Sequence, residues 1–404
     1  MSNSIAVSGN TGPKVRSDCE ISVELKAEGG IVTDLVSKVK SLYGDSIIEL
    51  VRQILSFYSI GSANIKIDDS GALPFVIAAR LEASIRKLTG SSLEFLSEFL
   101  PGNKYSTHRD KFRFTRLYLP GNTPGLMINA GLHSADCIIL DLEDSVAPEK
   151  KEEARLLVRN ALRQIDFYGA ERMVRINQGD RGLDDLVHVI PHNVNLVIIP
   201  KCEDTGYIKE VEKKITEIKT SVGNNSDVFL MPVIESAMGV EKAYEIATAS
   251  KSIVAIAIGL EDYTADLGVA RTLRGNESFY ARTRLVVAAK AAGIQPIDSV
   301  FSDVGDMEAL RQNVLSSKAL GFEGMGCIHP RQVAVIKQGF SPDSDEIEKS
   351  KKIVMAFETA RKNGQGVVSL GTKMIDPPVV LRAQRILGLA INLGLCGNDW
   401  NDSV

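Results

Sequence analysis

The sequence lacks the features that mark several large classes of protein. Its five cysteines show no paired spacing, so neither a disulfide framework nor a zinc cluster is expected. No apolar run reaches the roughly 18 residues of a membrane span, and the first residues show no charged segment followed by a long apolar one. The formal charge is only −4, with acids and bases interspersed and no basic stripe. We therefore expect a cytoplasmic protein that binds neither membranes nor nucleic acids.

The chain does contain enough residues for more than one hydrophobic core. It has 404 residues, of which 44% are hydrophobic. Eight short apolar runs separated by helical stretches dominate its middle, at 114–119, 137–143, 173–177, 196–201, 228–235, 253–262, 294–298 and 322–329. Near-continuous apolar strands are buried on both faces, so this rhythm predicts parallel βα units closing into an α/β fold of the (β/α)8 TIM-barrel type.

Most of these runs end in charged residues. Active sites of such barrels lie at the carboxyl ends of the strands. The groups expected to converge there are Glu143, Asp144, Arg175, Lys201, Glu235, Asp262, Asp298 and His329. This convergence predicts an enzyme.

Two of these acids suggest a metal site. Glu235 ends the fifth run and Asp262 the sixth, so neighbouring strands bring two carboxylates within reach of one small cation. Two carboxylates plus water and substrate oxygens suit Mg²⁺, which would chelate a 2-hydroxy or 2-keto carboxylate. Ion pairing or helix capping by the two acids is the structural alternative.

The basic residues leave alternatives open. Arg175 offers a planar fork to a carboxylate or a developing oxyanion. Arg116 could bind substrate in the same way, or it could hold the acidic group at 141–144 through a structural salt bridge. Lys201 could form a Schiff base, but the nearby acids Glu203 and Asp204 favour its charged form, which favours metal catalysis.

The regions flanking the barrel follow a different pattern. Residues 1–100 predict a small α+β domain, with a strand at 19–25, helices at 32–43 and 47–58, a strand and turn at 64–71 and a helix at 72–88. Residues 101–112 have the composition of an exposed linker. The barrel domain is placed at 113–340, and a helical C-terminal extension at 341–404 carries a lone carboxylate, Asp376, just before its last helix.

Five motifs carry a family resemblance. They are RLYLPG (116–121), DLEDSV (141–146), VRIN (174–177), PVIES (232–236) and CIHP (327–330). Together they resemble the citrate lyase β-subunit family, the HpcH/HpaI aldolase/citrate lyase-like proteins. The resemblance implies an oxo-acid lyase that uses Mg²⁺ to split citryl-, citramalyl- or malyl-type thioesters.

The resemblance also implies roles for individual residues. Glu235 and Asp262 match the metal ligands, although Glu261 competes with Asp262 in the sequence GLEDY at 259–263. Arg175 matches the residue that holds the enolate and a carboxylate, and Asp376 matches the general acid/base. In such lyases the tail closes over a neighbouring subunit, which implies a homo-oligomer, a trimer or a multiple of it.

The leading segment resembles the citrate lyase γ subunit, an acyl carrier protein. Its markers are Ser17-Asp18, DDSGAL (68–73) and AARLE (78–82). The resemblance implies that Ser17 bears a phosphoribosyl-dephospho-CoA arm. The usual Ser-Ser-Asp reads Arg16-Ser17-Asp18 here, which leaves the attachment register open. A serine that only begins or caps a strand is the structural alternative.

These observations lead to one functional hypothesis with two rivals. The chain is predicted to cleave a citryl or citramalyl thioester by a retro-aldol reaction into a 2-keto acid, oxaloacetate or pyruvate, and an acetyl thioester. A partner α subunit with acyl/CoA transferase activity would load the fused carrier. The rivals are a lyase for free acyl-CoA, of the citramalyl-CoA or malyl-CoA type, whose N-terminal domain is only structural, and a non-catalytic scaffold.

Overall fold

The N-terminal module is a four-stranded sheet with two helices on one face. The computed structural model describes residues 5–362, 367–370 and 373–400. Strands β1 (Ile5–Gly9), β2 (Cys19–Leu25), β3 (Ile31–Ser37) and β4 (Ala63–Asp69) form a sheet in the order β1-β2-β4-β3. Helices α1 (Lys40–Phe57) and α2 (Pro74–Thr89) share one hydrophobic core with β2 and β4. Alternate residues of both strands face that core.

One helix predicted in this module is wrong. Residues 32–43 were expected to be helical, but the first half of this segment is strand β3, which pairs in parallel with β4. Val32, Leu35 and Val36 have helix-like spacing, yet the segment is rich in β-branched residues that favour a strand. The other expected elements correspond to β2, α1, β4 and α2.

The central part of the chain is a barrel of eight parallel strands, as predicted. Its strands are β5 (Thr115–Pro120), β6 (Cys137–Asp141), β7 (Glu171–Arg175), β8 (Leu196–Ile199), β9 (Phe229–Ile234), β10 (Ala255–Ile258), β11 (Gln295–Ile297) and β12 (Met325–Cys327). They follow chain order from β5 to β11, with β12 beside β5. A bridge between Asp298 and Met325 connects the last two strands and closes the ring.

Helices surround the strands. They are α3 (Pro124–Met127), α4 (Lys151–Gln164), α5 (Gly179–Val189), α6 (Gly206–Val222), α7 (Ala237–Glu241), α8 (Ala243–Ala247), α9 (Leu260–Asp266), α10 (Phe279–Ala292), α11 (Met307–Leu320) and α12 (Pro330–Phe340). In β6, Cys137 and Ile139 belong to the inner core, whereas Ile138 and Leu140 belong to the outer core with the helices. This alternation is why both strand faces must be apolar. None of the helices described here is long and apolar enough to cross a membrane.

The connector before the barrel is exposed over most of its length, but several of its residues are anchored in the barrel domain. Asn103, Thr107 and Arg113 are buried. Arg113 forms a buried ion pair with Glu171 at the start of β7, with Nε 2.7 Å from Oε2. The buried polar residues of the connector therefore bind to the end of the barrel where the strands begin.

The C-terminal extension forms a small unit with its own core. It contains α13 (Ser344–Lys362), a two-stranded hairpin of β13 (Val368–Leu370) and β14 (Lys373–Ile375), and α14 (Pro377–Asn392). Eight buried residues from α13, β14 and α14 form this core, apart from the barrel cores. The glycine-rich segment 363–366 lies outside the described residues.

Candidate active site

A cavity of about 310 Å³ lies at the end of the barrel where the strands reach their carboxyl termini, which we call the mouth. Its lining includes seven charged residues that the strands and their following loops deliver: Arg116, Asp141, Arg175, Glu235, Glu261, Asp262 and Asp298. The volume suits a small organic acid and is at the lower end of ordinary ligand sites. The sequence-based expectation that charged strand ends meet here therefore corresponds to a real concavity.

Glu235 is the most deeply placed carboxylate of the candidate metal pair. It directly follows β9 and is only 7% exposed. The backbone N–H of Lys201 donates to Oε2 at 2.9 Å. A Cβ on Gly259, at the end of the next strand, would lie 2.5 Å from Oε1, so only glycine leaves room for the carboxylate in this position. Sequence reasoning did not identify Gly259, which is visible only as a glycine directly after an apolar run.

The electrostatic setting of Glu235 favours its protonated form in the absence of a cation. Burial raises its pKa to about 7, and the nearby Asp262 carboxylate adds to the rise, against the opposing influence of Arg175. A buried carboxylate whose pKa is raised by burial and by a neighbouring carboxylate forms, with that neighbour, a site that a divalent cation would neutralise.

The two acids that competed for the second ligand position differ in their partners. Both lie in the first turn of α9 and are exposed. Glu261 is paired with Arg271, with Oε1 2.8 Å from Nη1. Asp262 lies close enough to Glu235 for its charge to raise that residue's pKa. This difference favours Asp262.

Arg175, the last residue of β7, is held by an acidic cluster. Its Nε and Nη2 donate to the two oxygens of Asp141 at 2.6 and 2.7 Å, and its Nη1 lies 3.1 Å from Glu143 Oε2. The sequence left open whether Arg116 binds substrate or holds this cluster, and in the structure Arg175 pairs with the cluster. Because both ends of the guanidinium fork are fixed, Arg175 keeps one orientation at the mouth.

Lys201 connects the acidic cluster to Glu235. Its φ of +50° is rare for a residue with a side chain. In this conformation its amide donates the hydrogen bond to Glu235. Its Nζ lies 3.0 Å from Glu143 and 3.2 Å from Asp144. Burial alone would lower the pKa of Lys201, but these carboxylates outweigh that effect and raise it. A permanently charged lysine is a poor Schiff-base nucleophile.

The environment of Arg116 differs from that of Arg175, the other arginine in the cavity lining given above. It lies in β5, points into the barrel and is 1% exposed. Its Nε has no hydrogen-bond partner, Nη2 reaches the Asp298 carbonyl at 3.4 Å, and Nη1 faces the sulfur of Met231. Among the described residues no carboxylate lies within ion-pair distance. Burial lowers its pKa, as expected for an uncompensated cation.

The other two predicted mouth residues have structural partners. Asp298 accepts hydrogen bonds from Arg282 at 2.5 Å and from the Ser317 hydroxyl at 2.6 Å, both in buried positions. His329 caps α12, where its Nδ1 accepts from the Arg331 amide at 3.1 Å. Both residues stabilise the barrel wall.

Asp376 is not brought to the mouth of its own barrel. It caps α14, with Oδ1 accepting from the Val379 amide at 3.3 Å. Arg385, farther along α14, lines a cleft with Val254 and Gln295, at the strand starts of the opposite end. The described cavity at the mouth contains no residue of the tail.

Ser17 lies between the N-terminal module and the barrel. Its φ is +55°, and its amide donates to the Ser70 carbonyl at 3.0 Å. The side chain is half-buried. A Cβ on Gly125, in α3 after the mouth-forming end of β5, would lie 3.9 Å from Ser17 Cβ. Ser17 therefore stands beside the rim of the mouth.

Two family models match this chain. Residues 115–330 match the HpcH/HpaI aldolase/citrate lyase model, and residues 7–88 match the model described as malonate decarboxylase delta subunit (MdcD). The citrate lyase subunit beta of Leuconostoc mesenteroides subsp. cremoris is 37% identical over 70% of this chain and 95% of its own length. The human mitochondrial citramalyl-CoA lyase is 31% identical over 71% of this chain and 88% of its own length.

Comparison with solved structures gives the same family of relatives. The Mycobacterium tuberculosis protein CitE in complex with magnesium, acetoacetate and coenzyme A is 28% identical, with a TM-score of 0.59 over 70% of this chain and 99% of that one. The same protein with magnesium and pyruvate is 27% identical, with a TM-score of 0.53 over 70% and 100%. The curated relatives are named as lyases, which confirms the predicted enzyme class. The chain therefore belongs to the HpcH/HpaI aldolase/citrate lyase family, with a second, MdcD-like module at its N-terminus.

Proposed function

We propose that this chain is a Mg²⁺-dependent lyase that cleaves a citryl or citramalyl thioester into a 2-keto acid, oxaloacetate or pyruvate, and an acetyl thioester. The observation that carries the proposal is the content of one cavity. It combines a carboxylate pair, Glu235 and Asp262, with Arg116, a fully buried cation that has no carboxylate partner within the described part of the chain. A buried unpaired charge is costly, so its natural partner is an anionic ligand.

The carboxylate pair fits magnesium better than a metal that needs a complete protein cage. The described residues hold no group of three or more candidate ligands, and Mg²⁺ usually keeps waters and takes only one or two carboxylates. Solved relatives contain magnesium, which supports the assignment. When bound, the ion would supply a Lewis acid for the hydroxyl and carboxylate oxygens of the substrate.

The two arginines of the cavity would hold negative charge at two places. Arg116 would bind a substrate carboxylate deep in the barrel, where the low dielectric strengthens the pairing. Arg175 would stabilise the enolate oxygen that forms as the carbon–carbon bond breaks, and Asp141 keeps it oriented before substrate arrives. Neither side chain has to reorganise during the reaction.

As general acid/base, Asp376 of a neighbouring subunit would accept the proton of the substrate hydroxyl and deliver a proton to the enolate carbon. Asp376 lies in a tail with its own core and does not line the cavity of its own barrel, which supports action between subunits of a homo-oligomer, a trimer or a multiple of it. Mixed oligomers of Asp376→Asn and Glu235→Gln chains test this. Sharing of sites predicts partial recovery of activity on mixing two inactive variants, whereas activity within one chain predicts none.

Metal ligation is tested with three matched carboxamide variants. Glu235→Gln and Asp262→Asn should each lower the Mg²⁺-dependent cleavage of citryl-CoA or citramalyl-CoA by about 100-fold or more. Glu261→Gln, at the adjacent position but paired with Arg271, should retain most activity. Full activity of Asp262→Asn would refute the proposed site. Wild-type protein that cleaves neither thioester, with or without Mg²⁺, would favour the scaffold.

We further propose that Ser17 carries a phosphoribosyl-dephospho-CoA arm, loaded by a partner α-subunit transferase. The match of residues 7–88 to a carrier-type subunit and the location of Ser17 at the rim support this assignment. The competing function is a lyase for free acyl-CoA, favoured by relatives such as citramalyl-CoA lyase. Mass spectrometry of protein from its natural host distinguishes them. An unmodified Ser17 peptide in a host that modifies other carriers would favour free acyl-CoA.

A further inference from the structure

Helix α2 of the N-terminal module is shared between two hydrophobic cores. Residues on one side of the helix, Ile77, Ala78, Leu81 and Ile85, pack in the core of the module. Residues on the other side, Phe75, Val76, Ala79 and Ala83, belong to the core of the barrel. A helix that is apolar on both sides must be covered on both sides. Separation of the module would expose the second set to water.

Two buried arginines cross the same boundary. Arg80 of α2 reaches the Asn122 side-chain oxygen at 2.6 Å and Glu153 at 3.3 Å, both in the barrel domain. Arg159 of α4 grips both oxygens of Glu82 in α2, at 2.8 and 2.6 Å. The side chains of both arginines and both glutamates are fully buried. Moving the module away would break both of these buried ion pairs.

The chain that joins the module to the barrel is fastened along its length. Glu94 pairs with Arg159 at 3.0 Å, and the Ser97 carbonyl accepts from Arg163 at 2.6 Å. The amide of Leu100 donates to the Arg163 carbonyl at 2.8 Å. A carrier that travels between active sites needs a free linker. This connection is instead held against the barrel domain by these contacts.

The docked position sets Ser17 against the rim of the mouth. Arg80 holds Asp18 with a two-point pair at 2.9 and 2.8 Å, directly after Ser17. On the barrel side, a Cβ on Gly125 would lie 2.8 Å from the Arg16 carbonyl, so glycine allows the two backbones to touch. Gly125 lies in α3, shortly after β5. Pro120, the last residue of β5, lines the cavity.

From these contacts we propose that the carrier-like module works while docked. An acyl arm on Ser17 would enter the barrel of its own chain, and the loading transferase would come to the rim. The inference rests on the proposed attachment of an arm at Ser17. It adds that the module does not swing between sites, so the arm alone supplies the movement.

A cross-link across the boundary tests this directly. The Asn10 side-chain nitrogen lies 3.4 Å from the Asn122 carbonyl, so the double variant Asn10→Cys/Asn122→Cys places two thiols across the junction. Full-length protein with an arm on Ser17 is first acylated on the arm thiol. The two introduced cysteines are then cross-linked by a short, reducible bifunctional thiol reagent. Release of 2-keto acid is measured over one turnover. The single variants, treated identically, control for reaction at native cysteines.

The docked arrangement predicts less than about a tenfold loss of this turnover on cross-linking, because the arm keeps its high effective concentration at the site. Loss of carrier-borne turnover that is restored by reduction, while free citryl-CoA is still cleaved, would refute docking and leave the lyase assignment intact. Absence of an arm on Ser17 would also refute the inference. Failure of free and carrier-borne cleavage alike, without cross-linking, would refute the lyase instead.

A glycine substitution provides a second test. Gly125→Ala introduces a Cβ against the Arg16 carbonyl, whereas a Cβ on Gly388 in α14 meets nothing within 4 Å. Gly125→Ala is expected to lower the ratio of carrier-borne to free thioester turnover, and Gly388→Ala to leave this ratio unchanged. An unchanged ratio in Gly125→Ala would mean that the rim contact does not position the carrier.

Discussion

Replacement of Arg116 by methionine is expected to stabilise the protein while removing its activity. Arg116 is 1% exposed, and its Nε has no partner. The effective desolvation penalty of a buried ion is several kcal/mol, and replacing buried charges by apolar residues of similar length often stabilises proteins by about 1–4 kcal/mol. Methionine keeps the straight stem and fills space flexibly. We therefore expect Arg116→Met to raise the free energy of unfolding by roughly 1–4 kcal/mol.

The same substitution should affect catalysis in the opposite direction. Losing a buried charge partner for a substrate carboxylate costs about 2–5 kcal/mol, which corresponds to a fall in kcat/KM of roughly 30-fold to several thousand-fold. Thermal unfolding followed by calorimetry and release of 2-keto acid from citryl-CoA measure the two effects. A gain of about 1 kcal/mol should raise Tm by roughly 1 °C for a chain of this size.

Arg159→Met is the matched control. Arg159 is equally buried but grips Glu82 at two points. Its removal takes the two-point partner from the buried Glu82 carboxylate, leaving only the longer contact to Arg86 at 3.6 Å, and should cost about 3–5 kcal/mol. If Arg116→Met lowers Tm as Arg159→Met does, Arg116 has a structural partner and the reasoning from its isolation is refuted.

Three further outcomes follow from Glu235 and its neighbours. Gly259→Ala should weaken Mg²⁺ binding by about 10- to 100-fold, measured by calorimetric titration, because its Cβ would displace the carboxylate; unchanged affinity would contradict this. The pKa of Glu235 is raised from 4.5 to about 7, so the folded state binds the proton more tightly, and this group's contribution to stability in metal-free protein should fall as pH rises from about 4.5 to about 7. Glu235→Gln should flatten that part of the pH profile in urea unfolding, and a profile identical to wild type would argue against the raised pKa. Mg²⁺ affinity should weaken by up to about tenfold per pH unit below 7, because the ion competes with the proton; a flat dependence would exclude Glu235 as ligand.

The barrel could be predicted from the sequence because its signal is local. Apolar runs of strand length, most of them ending in charged residues, identify both the strands and the end where a site would lie. The pairing of strand β3 was not local, since it depends on β4 some thirty residues later, and its apolar residues happen to match helical spacing.

The roles of the arginines required three-dimensional information. Arg116 and Arg175 both lie in segments with a strand pattern. The neighbouring sequence does not indicate that Arg175 pairs with Asp141 or that Arg116 Nε lacks a hydrogen-bond partner among the described residues. The polar residues of α2 gave a similar ambiguity. Nothing in the helical pattern around Arg80 and Glu82 indicates that both have partners in the barrel domain, more than 40 residues away in the chain.

The left-handed backbone of Lys201 has a consequence for ligand binding at the mouth. One residue gives its amide to Glu235 and its ammonium to Glu143 and Asp144. A shift of the acids around Arg175 would therefore displace the amide that holds the Glu235 carboxylate. We expect the two halves of the site to be thermodynamically linked, so that Mg²⁺ and an organic anion each tighten the binding of the other.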